Sequence, residues 1–234
     1  MKAIWTILIL ALMSFSGLAA SEFDQLKALE EQGLQNPDLY YNLGVTHWQL
    51  GESGMANLYF LRALNLDSAH KPAKENLNYV IALSQDRDLY PQRLFLLQIF
   101  WEVYDFLSLN RMALLTLLLL LITVLSLSWL MHYDPDKERG FPSLIFSICL
   151  FMLLISTALL AVKAYRHAHN SKAVLIQSQA DLRAEANPKA SRVAAVHEAL
   201  ILIVEDSREG WSLVRLPDGK SGWIESKAIR RVLP

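Results

Sequence analysis

Side chains that could bind a metal or transfer protons are sparse in this 234-residue sequence. His132, Asp134 and Asp136 stand close together, but basic residues share their short stretch, which indicates a solvated turn. Cys149 is the one cysteine, and its apolar run holds no histidine, so it has no partner for a disulfide, a cysteine-based metal site or a nucleophile–base pair. The sequence therefore predicts no catalytic residue, no metal and no cofactor, and we expect a protein that is not an enzyme.

The composition indicates a membrane protein. Charged residues make up 19% of the chain, against about 25% in a typical soluble domain. Met112–Met131 and Phe141–Val162 contain no charged residue, and as helices each would span about 30 Å, the thickness of the hydrocarbon core of a bilayer. We predict transmembrane helices at 112–131 and 141–162, joined by a loop at 132–140. Basic residues alternate with acidic ones, so nucleic-acid binding is not expected.

Residues 1–20 have the pattern of a secretory signal peptide. Lys2 precedes the apolar stretch Ala3–Leu12, and a small-residue cleavage site follows at Gly17-Leu18-Ala19 or Ala19-Ala20-Ser21. An uncleaved anchor helix is the alternative. Residues 91–109 are apolar and aromatic but include Glu102 and Asp105, which predicts an interfacial amphipathic helix. A third transmembrane helix is the alternative there.

Two signals disagree about orientation. An exported N-terminus places both soluble domains in the periplasm and the loop 132–140 in the cytoplasm. Lys137 and Arg139 lie in that loop, yet four basic residues flank the apolar runs on the opposite side, namely Arg111, Lys163, Arg166 and Lys172. We follow the signal peptide, because an exported N-terminus fixes the orientation of the next span. The expected location is the bacterial inner membrane, with both soluble domains facing the periplasm.

Residues 22–90 predict an α-helical domain. Their spacing resembles the tetratricopeptide repeat, a helix–turn–helix of 34 residues. The matching positions are Tyr40, Leu43, Gly44, Ala56 and Phe60, whereas His47 replaces the second aromatic of the pattern and Ser68 replaces its proline. Small residues such as Gly44 and Ala56 let two helices approach closely. So short an array exposes apolar faces, and we expect the helix Glu22–Gln32 and the membrane to help cover them.

The resemblance also implies a binding surface. In tetratricopeptide proteins the first helix of each repeat lines a concave face that takes up peptides. Carried onto this chain, the partner-binding residues would be Tyr41, Asn42, Val45, Trp48, Gln49 and Asn76. Trp48 is the sharpest candidate, because tryptophan anchors often dominate interfaces. The alternative is that Trp48 packs against a neighbouring helix or the membrane surface.

Residues 171–234 change to short β-prone runs separated by turns. These runs are Val174–Ile176, Val193–Val196, Leu200–Val204, Trp211–Leu216 and Gly222–Ile224. Glu209–Arg215 and Asp218–Ile224 resemble a bacterial SH3 (SH3b) domain, a small all-β barrel. Asp181-Leu182-Arg183, with Asn187-Pro188 after it, matches the first loop of that family. Trp211 then matches one wall of the SH3 peptide groove and is the expected partner-binding residue, while Trp223 is expected in the core.

The order of these parts is the most specific feature. A signal peptide, a tetratricopeptide unit, a two-helix transmembrane hairpin and a C-terminal SH3b domain together resemble the BatE-type members of the Bat aerotolerance family. The resemblance implies a scaffold in the envelope that works with Bat partners carrying von Willebrand A domains. The alternative is an envelope sensor whose SH3b domain binds peptidoglycan or wall peptides.

Overall fold

A computed structural model describes residues 23–91, 94–133, 139–169 and 171–233. The signal-peptide prediction at 1–20 and the loop residues Asp134, Asp136 and Lys137 lie outside this described part. The described chain divides into two compact units. Residues 23–66, 70–91 and 171–233 form a unit of helices and strands, which we call the mixed unit; residues 67–69, 94–133 and 139–169 form the hairpin unit.

Four helices open the mixed unit. They are α1 (23–31), α2 (Pro37–Gln49), α3 (Ser53–Leu66) and α4 (Lys71–Leu83). Asn36 begins α2, because its side-chain oxygen accepts the backbone N–H of Asp38 at 2.7 Å and Pro37 needs no N–H partner in the first turn. Gly51 lies in the turn between α2 and α3 at a φ of 80°, a backbone conformation that glycine adopts without strain.

Small residues bring α2 and α3 together as the sequence predicts. A Cβ atom on Gly44 would lie 2.6 Å from the ring of Phe60, so only glycine fits there. Phe23 and Leu26 of α1 pack against buried Leu39 and Leu43. The prediction that an N-terminal helix covers part of the apolar surface of the following helices is therefore confirmed.

The C-terminal part is one antiparallel sheet of seven strands in the order β3-β2-β6-β5-β4-β1-β7. The strands are β1 (Lys172–Leu175), β2 (Gln179–Arg183), β3 (Arg192–His197), β4 (Ile201–Arg208), β5 (Trp211–Arg215), β6 (Ser221–Glu225) and β7 (Ile229–Arg231). Five of them coincide with the β-prone runs of the sequence. Inward residues alternate with outward ones, so that Val214 and Ile224 are buried in the core of the sheet.

Two expectations about this sheet are wrong. Asp181-Leu182-Arg183 belongs to β2 instead of a loop, because Leu182 is fully buried and the strand pairs with both β3 and β6. Trp223 is half-buried and lies outside the core. Strand alternation places Gly222 and Ile224 inward, which turns Trp223 to the opposite face.

The helices and the sheet share one core within the mixed unit. A single cluster of buried residues joins Phe60 and Leu77 of the helices to Val174, Ala199 and Val232 of the sheet domain. The sheet domain therefore covers an apolar face of the helices that the sequence analysis assigned partly to the membrane. Arg62 adds a polar contact, since its Nε donates to the carbonyl oxygen of Val232 at 3.2 Å.

The hairpin unit contains α5 (Phe95–Phe106), α6 (Leu109–Met131) and α7 (Gly140–Ala168). Helices α6 and α7 are long and apolar enough to cross a membrane, and few of their side chains are buried inside the protein. Helix α7 continues six residues past the predicted end at Val162. Lys163 lies in this extension, where its Nζ donates to the carbonyl oxygens of Tyr104 and Leu107 at the end of α5.

Candidate functional site

Helix α3 meets the sheet domain along a close, hydrogen-bonded contact, which we call the seam. The backbone N–H of Gly54 donates to Oε1 of Glu198 at 2.7 Å. Nδ2 of the fully buried Asn57 donates to the carbonyl oxygen of Ala199 at 2.8 Å. A Cβ atom on Gly54 would lie 2.5 Å from the carbonyl oxygen of Leu175. Residue 54 must therefore be glycine for the helix to approach the strand this closely.

The segment after α4, which contains Asp86 and Tyr90, makes further hydrogen bonds to the sheet domain. Asp86 accepts two hydrogen bonds from His197, one from the backbone N–H at 2.5 Å and one from Nδ1 at 2.9 Å. The hydroxyl oxygen of Tyr90 accepts the backbone N–H of Ile201 at 3.0 Å. Burial raises the pKa of the Tyr90 hydroxyl from 10.0 to about 12, with a smaller contribution from the charge of Asp86.

A pocket of about 240 Å³ lies at one end of the seam; we call it the seam pocket. Its apolar lining comes from Trp48, Val80, Leu83 and Ala199. Its polar lining comes from Ser53, Ser84, Gln85 and Ser178, together with the ionisable side chains of His197 and Glu198. None of the described lining residues is a lysine or an arginine. The pocket is therefore a polar recess with one carboxylate and an aromatic wall, lined by both the helices and the sheet domain.

The structure brings together some of the predicted partner-binding residues of α2. Trp48 lines the seam pocket and makes an edge-to-face contact with Tyr79, with ring centroids 5.9 Å apart. Nδ2 of Asn76 donates to the Tyr41 hydroxyl at 3.4 Å. Val45 packs on the shared core. These contacts place one face of α2 towards α4, with Trp48 at the end nearest the sheet domain.

The other predicted residues lie apart from this group. Asn42 and Gln49 are exposed on α2. Trp211 is half-buried at the start of β5, opposite Glu225 of β6. Register pairs Leu213 with Trp223, so Trp211, Leu213 and Trp223 share the outer face of the sheet. The guanidinium carbon of Arg208 lies 5.9 Å from the centre of the Trp223 ring, which makes this face an aromatic patch with one base.

Sequence reasoning missed the sheet side of the seam pocket, namely Ser178, His197 and Glu198. One signal for it exists in the sequence, because Asn57 interrupts the apolar stretch of α3 and a buried amide requires a hydrogen-bond partner. That signal shows that a partner exists without identifying it. No group of three metal-ligating side chains stands together anywhere in the described ranges.

Comparison with known families identifies the sheet domain. Residues 177–231 match the family model described as a bacterial SH3 domain, which covers strands β2 to β7. Strand β1 precedes this match but pairs with β4 and β7, so the folded domain begins at Lys172. A search of curated proteins finds none that matches this chain. The fold thus defines a bacterial SH3 domain packed on a helical bundle, in a chain with two candidate membrane-spanning helices.

Proposed function

We propose that this chain is a non-enzymatic scaffold of the bacterial inner membrane, whose mixed unit recognises other envelope proteins in the periplasm. The observation that carries the proposal is the seam, where a bacterial SH3 domain and the helices α2 to α4 share one buried core. This shared core fixes the position of one potential recognition surface, on the helices, relative to the other, on the SH3 domain. Such rigidity lowers the entropic cost of binding a partner across both of them.

The partners follow from the resemblance described for the sequence. A tetratricopeptide-like pair of helices, a transmembrane hairpin and a C-terminal SH3 domain occur in that order in BatE-type proteins. We therefore propose partners of the Bat type that carry von Willebrand A domains. The two apolar helices would anchor the chain in the membrane that holds these partners.

Co-purification tests the scaffold function. The tagged full-length chain would be extracted in mild detergent, with and without prior cross-linking in cells, and the recovered proteins identified by mass spectrometry. We expect envelope proteins with von Willebrand A domains to be enriched. Recovery of the chain alone after cross-linking would contradict the proposal.

Cysteine labelling tests the orientation. In a Cys149→Ser background, Glu75→Cys places a thiol on the exposed surface of the mixed unit, and His132→Cys places one at the end of α6. We expect a membrane-impermeant thiol reagent to label Glu75→Cys in cells whose outer membrane is permeabilised, and His132→Cys only after the inner membrane is broken. The reverse pattern would place the mixed unit in the cytoplasm.

The aromatic patch on the sheet favours a second candidate, an envelope sensor that binds peptidoglycan. Trp211 and Trp223 share an outer face with Leu213, and tryptophan side chains of this kind offer a large apolar contact area together with an N–H donor to a ligand. Retention of the full-length chain on purified wall material, lost in Trp211→Ala, would support the sensor. Trp129→Ala is the matched control, because Trp129 lies in α6. Equal retention of both variants would exclude the patch.

A further inference from the structure

We propose that the seam pocket binds a lysine side chain on an extended segment of a partner protein, with the ammonium group held between the ring of Trp48 and the carboxylate of Glu198. The inference rests on the proposed scaffold function and names the chemistry of the partner. It also makes the site composite, since neither the helices nor the SH3 domain alone contains both groups.

The charge of the lining selects a cation. Oε1 of Glu198 accepts the backbone N–H of Gly54. The other carboxylate oxygen of Glu198, Oε2, has no hydrogen-bond partner among the described residues. Behind the pocket wall, the carboxylate of Asp86 binds His197 at two points. The described lining has no lysine or arginine, and its one histidine is paired with Asp86, so the carboxylate of Glu198 is free to attract an incoming ammonium.

The remaining lining fits the shape and donors of lysine. An ammonium group has three N–H donors and needs oxygens on several sides. The Ser84 hydroxyl already donates its proton to the carbonyl of Ile81 at 2.8 Å, so its oxygen can act only as an acceptor for another group. Ser53 and Ser178 add hydroxyls at the helix side and the sheet side. Guanidinium instead favours a planar pair of acceptors, which suits this arrangement less well.

The apolar wall accounts for the stem of the side chain. Val80 and Leu83 line the pocket, and the four methylene groups of lysine pack on such surfaces while the charged end stays in a polar site. Indole is the aromatic ring that attracts a cation most strongly, and Trp48 supplies it. A volume of about 240 Å³ lies below the roughly 300–1,000 Å³ typical of drug-sized ligands, which suits one side chain better than a large molecule.

Peptide titration tests the proposal on the full-length chain in lipid nanodiscs. The probe is a fluorescein-labelled pentapeptide with blocked ends and one central lysine, followed by fluorescence anisotropy. The comparison peptide carries Nε-acetyllysine, which keeps the four methylene groups, removes the charge and adds an acetyl group, and the Glu198→Gln variant separates the effect of charge from that of size. We expect the acetylated peptide to bind at least tenfold more weakly. Equal affinity of the two peptides, or no binding of the lysine peptide at millimolar concentration, would overturn the proposal.

Matched variants locate the site. Glu198→Gln keeps an oxygen for the Gly54 N–H and removes the charge, so we expect lysine-peptide binding to weaken at least tenfold. Glu185→Gln makes the same change of charge at an exposed position outside the pocket and should bind as the wild type does. Trp48→Leu keeps apolar volume without the aromatic face and should also weaken binding. Wild-type affinity in Glu198→Gln would refute the proposed site.

Two further arms separate this proposal from its alternatives. The first arm uses a soluble wall fragment that carries a free amino group. If this fragment binds through Glu198 and the lysine peptide does not bind, the assignment to a protein partner is overturned. Co-purification with Glu198→Gln distinguishes the pocket from the scaffold function. If Glu198→Gln still recovers the partners, the proposed role of the pocket is refuted and the scaffold function stands. If the partners are lost in Glu198→Gln but kept in Glu185→Gln, the proposed role of the pocket is supported.

Discussion

Asp86 and His197 are 111 positions apart in the chain and are joined by two hydrogen bonds. An ionised carboxylate only accepts hydrogen bonds, so Nδ1 of His197 carries a proton and donates it to Asp86. The Asp86 side chain is 9% exposed, which makes both bonds costly to lose. This pair connects the end of the helices to the turn that carries Glu198.

Replacing Asp86 should therefore destabilise the mixed unit. We expect Asp86→Ala to lower the free energy of unfolding by about 1.5–3 kcal/mol, because two donors of His197 lose a charged acceptor. Urea unfolding followed by tryptophan fluorescence measures the change. Asp88→Ala is the matched control, since the Asp88 side chain is 92% exposed. Equal stability of the two variants would contradict the role given to Asp86.

Gly54 tests how tightly the helix and the sheet are coupled. We expect Gly54→Ala to destabilise the mixed unit by about 1–3 kcal/mol, because the new methyl group would overlap the carbonyl oxygen of Leu175. Helical circular dichroism and tryptophan fluorescence should lose their common unfolding midpoint as the seam opens. Gly140→Ala is the control, because a Cβ atom there meets no neighbour within 4 Å. An unchanged midpoint in Gly54→Ala would show that the seam is loose.

The raised pKa of the Tyr90 hydroxyl predicts that the mixed unit loses stability at alkaline pH. Burial raises the pKa of its hydroxyl to about 12 in the folded protein, above the value of 10.0 in an exposed tyrosine. The neutral hydroxyl therefore stabilises the fold below pH 10, and this contribution is lost as the pH rises towards 12. We expect Tyr90→Phe to be about 1 kcal/mol less stable at pH 8, with the difference shrinking by pH 11.

Urea unfolding at the two pH values measures this effect. Tyr79→Phe makes the same change at a side chain that is 57% exposed and should follow the wild type at both values. If the difference between wild type and Tyr90→Phe stayed constant from pH 8 to pH 11, titration of Tyr90 would not contribute to stability.

The β4–β5 hairpin contains a correctable strain. Glu209 and Gly210 form its two-residue loop with φ angles of 48° and 83°, and glutamate tolerates this left-handed backbone poorly. Asn-Gly is a preferred loop of this kind. We expect Glu209→Asn to raise the free energy of unfolding by up to about 1 kcal/mol, as measured in urea. Glu185→Asn, at a position without a positive φ, should give no gain.

The two apolar helices are joined by a polar contact. The hydroxyl oxygens of Thr116 and Ser156 lie 2.7 Å apart. Thr116 donates its own proton to the carbonyl of Met112, so Ser156 is the donor between the helices. In a Cys149→Ser background, Thr116→Cys with Ser156→Cys should form a disulfide on oxidation in membranes. Thr116→Cys with Ser147→Cys should not, and cross-linking of both pairs alike would contradict this packing.

Local patterns in the sequence predicted most of the elements, because each pattern has a local physical cause. Alternating β-branched and aromatic residues predicted five of the seven strands, and unbroken apolar runs predicted α6 and α7. Gly44 and Phe60 predicted the close packing of α2 on α3. Strand β2 was missed, because Asp181 and Arg183 flank its single buried residue, Leu182, and give it the composition of a loop.

The site was harder to predict, because its residues form a pocket only once the fold has brought them together. Trp48 was singled out as a tryptophan on an expected binding face, but nothing near it in sequence predicts a carboxylate. His197 ends a strand and Glu198 lies in the turn after it, without any unusual local pattern. The path of the chain through seven strands brings both residues to Trp48. Hydrophobic periodicity reports which face of an element is buried and carries no information about what buries it.

The sequence by itself therefore determined most of the elements, the two apolar helices and the bacterial SH3 domain, since these depend on residues close together in the chain. Only the tertiary structure decided that α3 packs on the SH3 domain. Gly54, Asn57 and Asp86 make that contact specific through bonds to residues more than 100 positions away. Such pairs leave no local pattern, because each residue is compatible with many surroundings until the fold selects one.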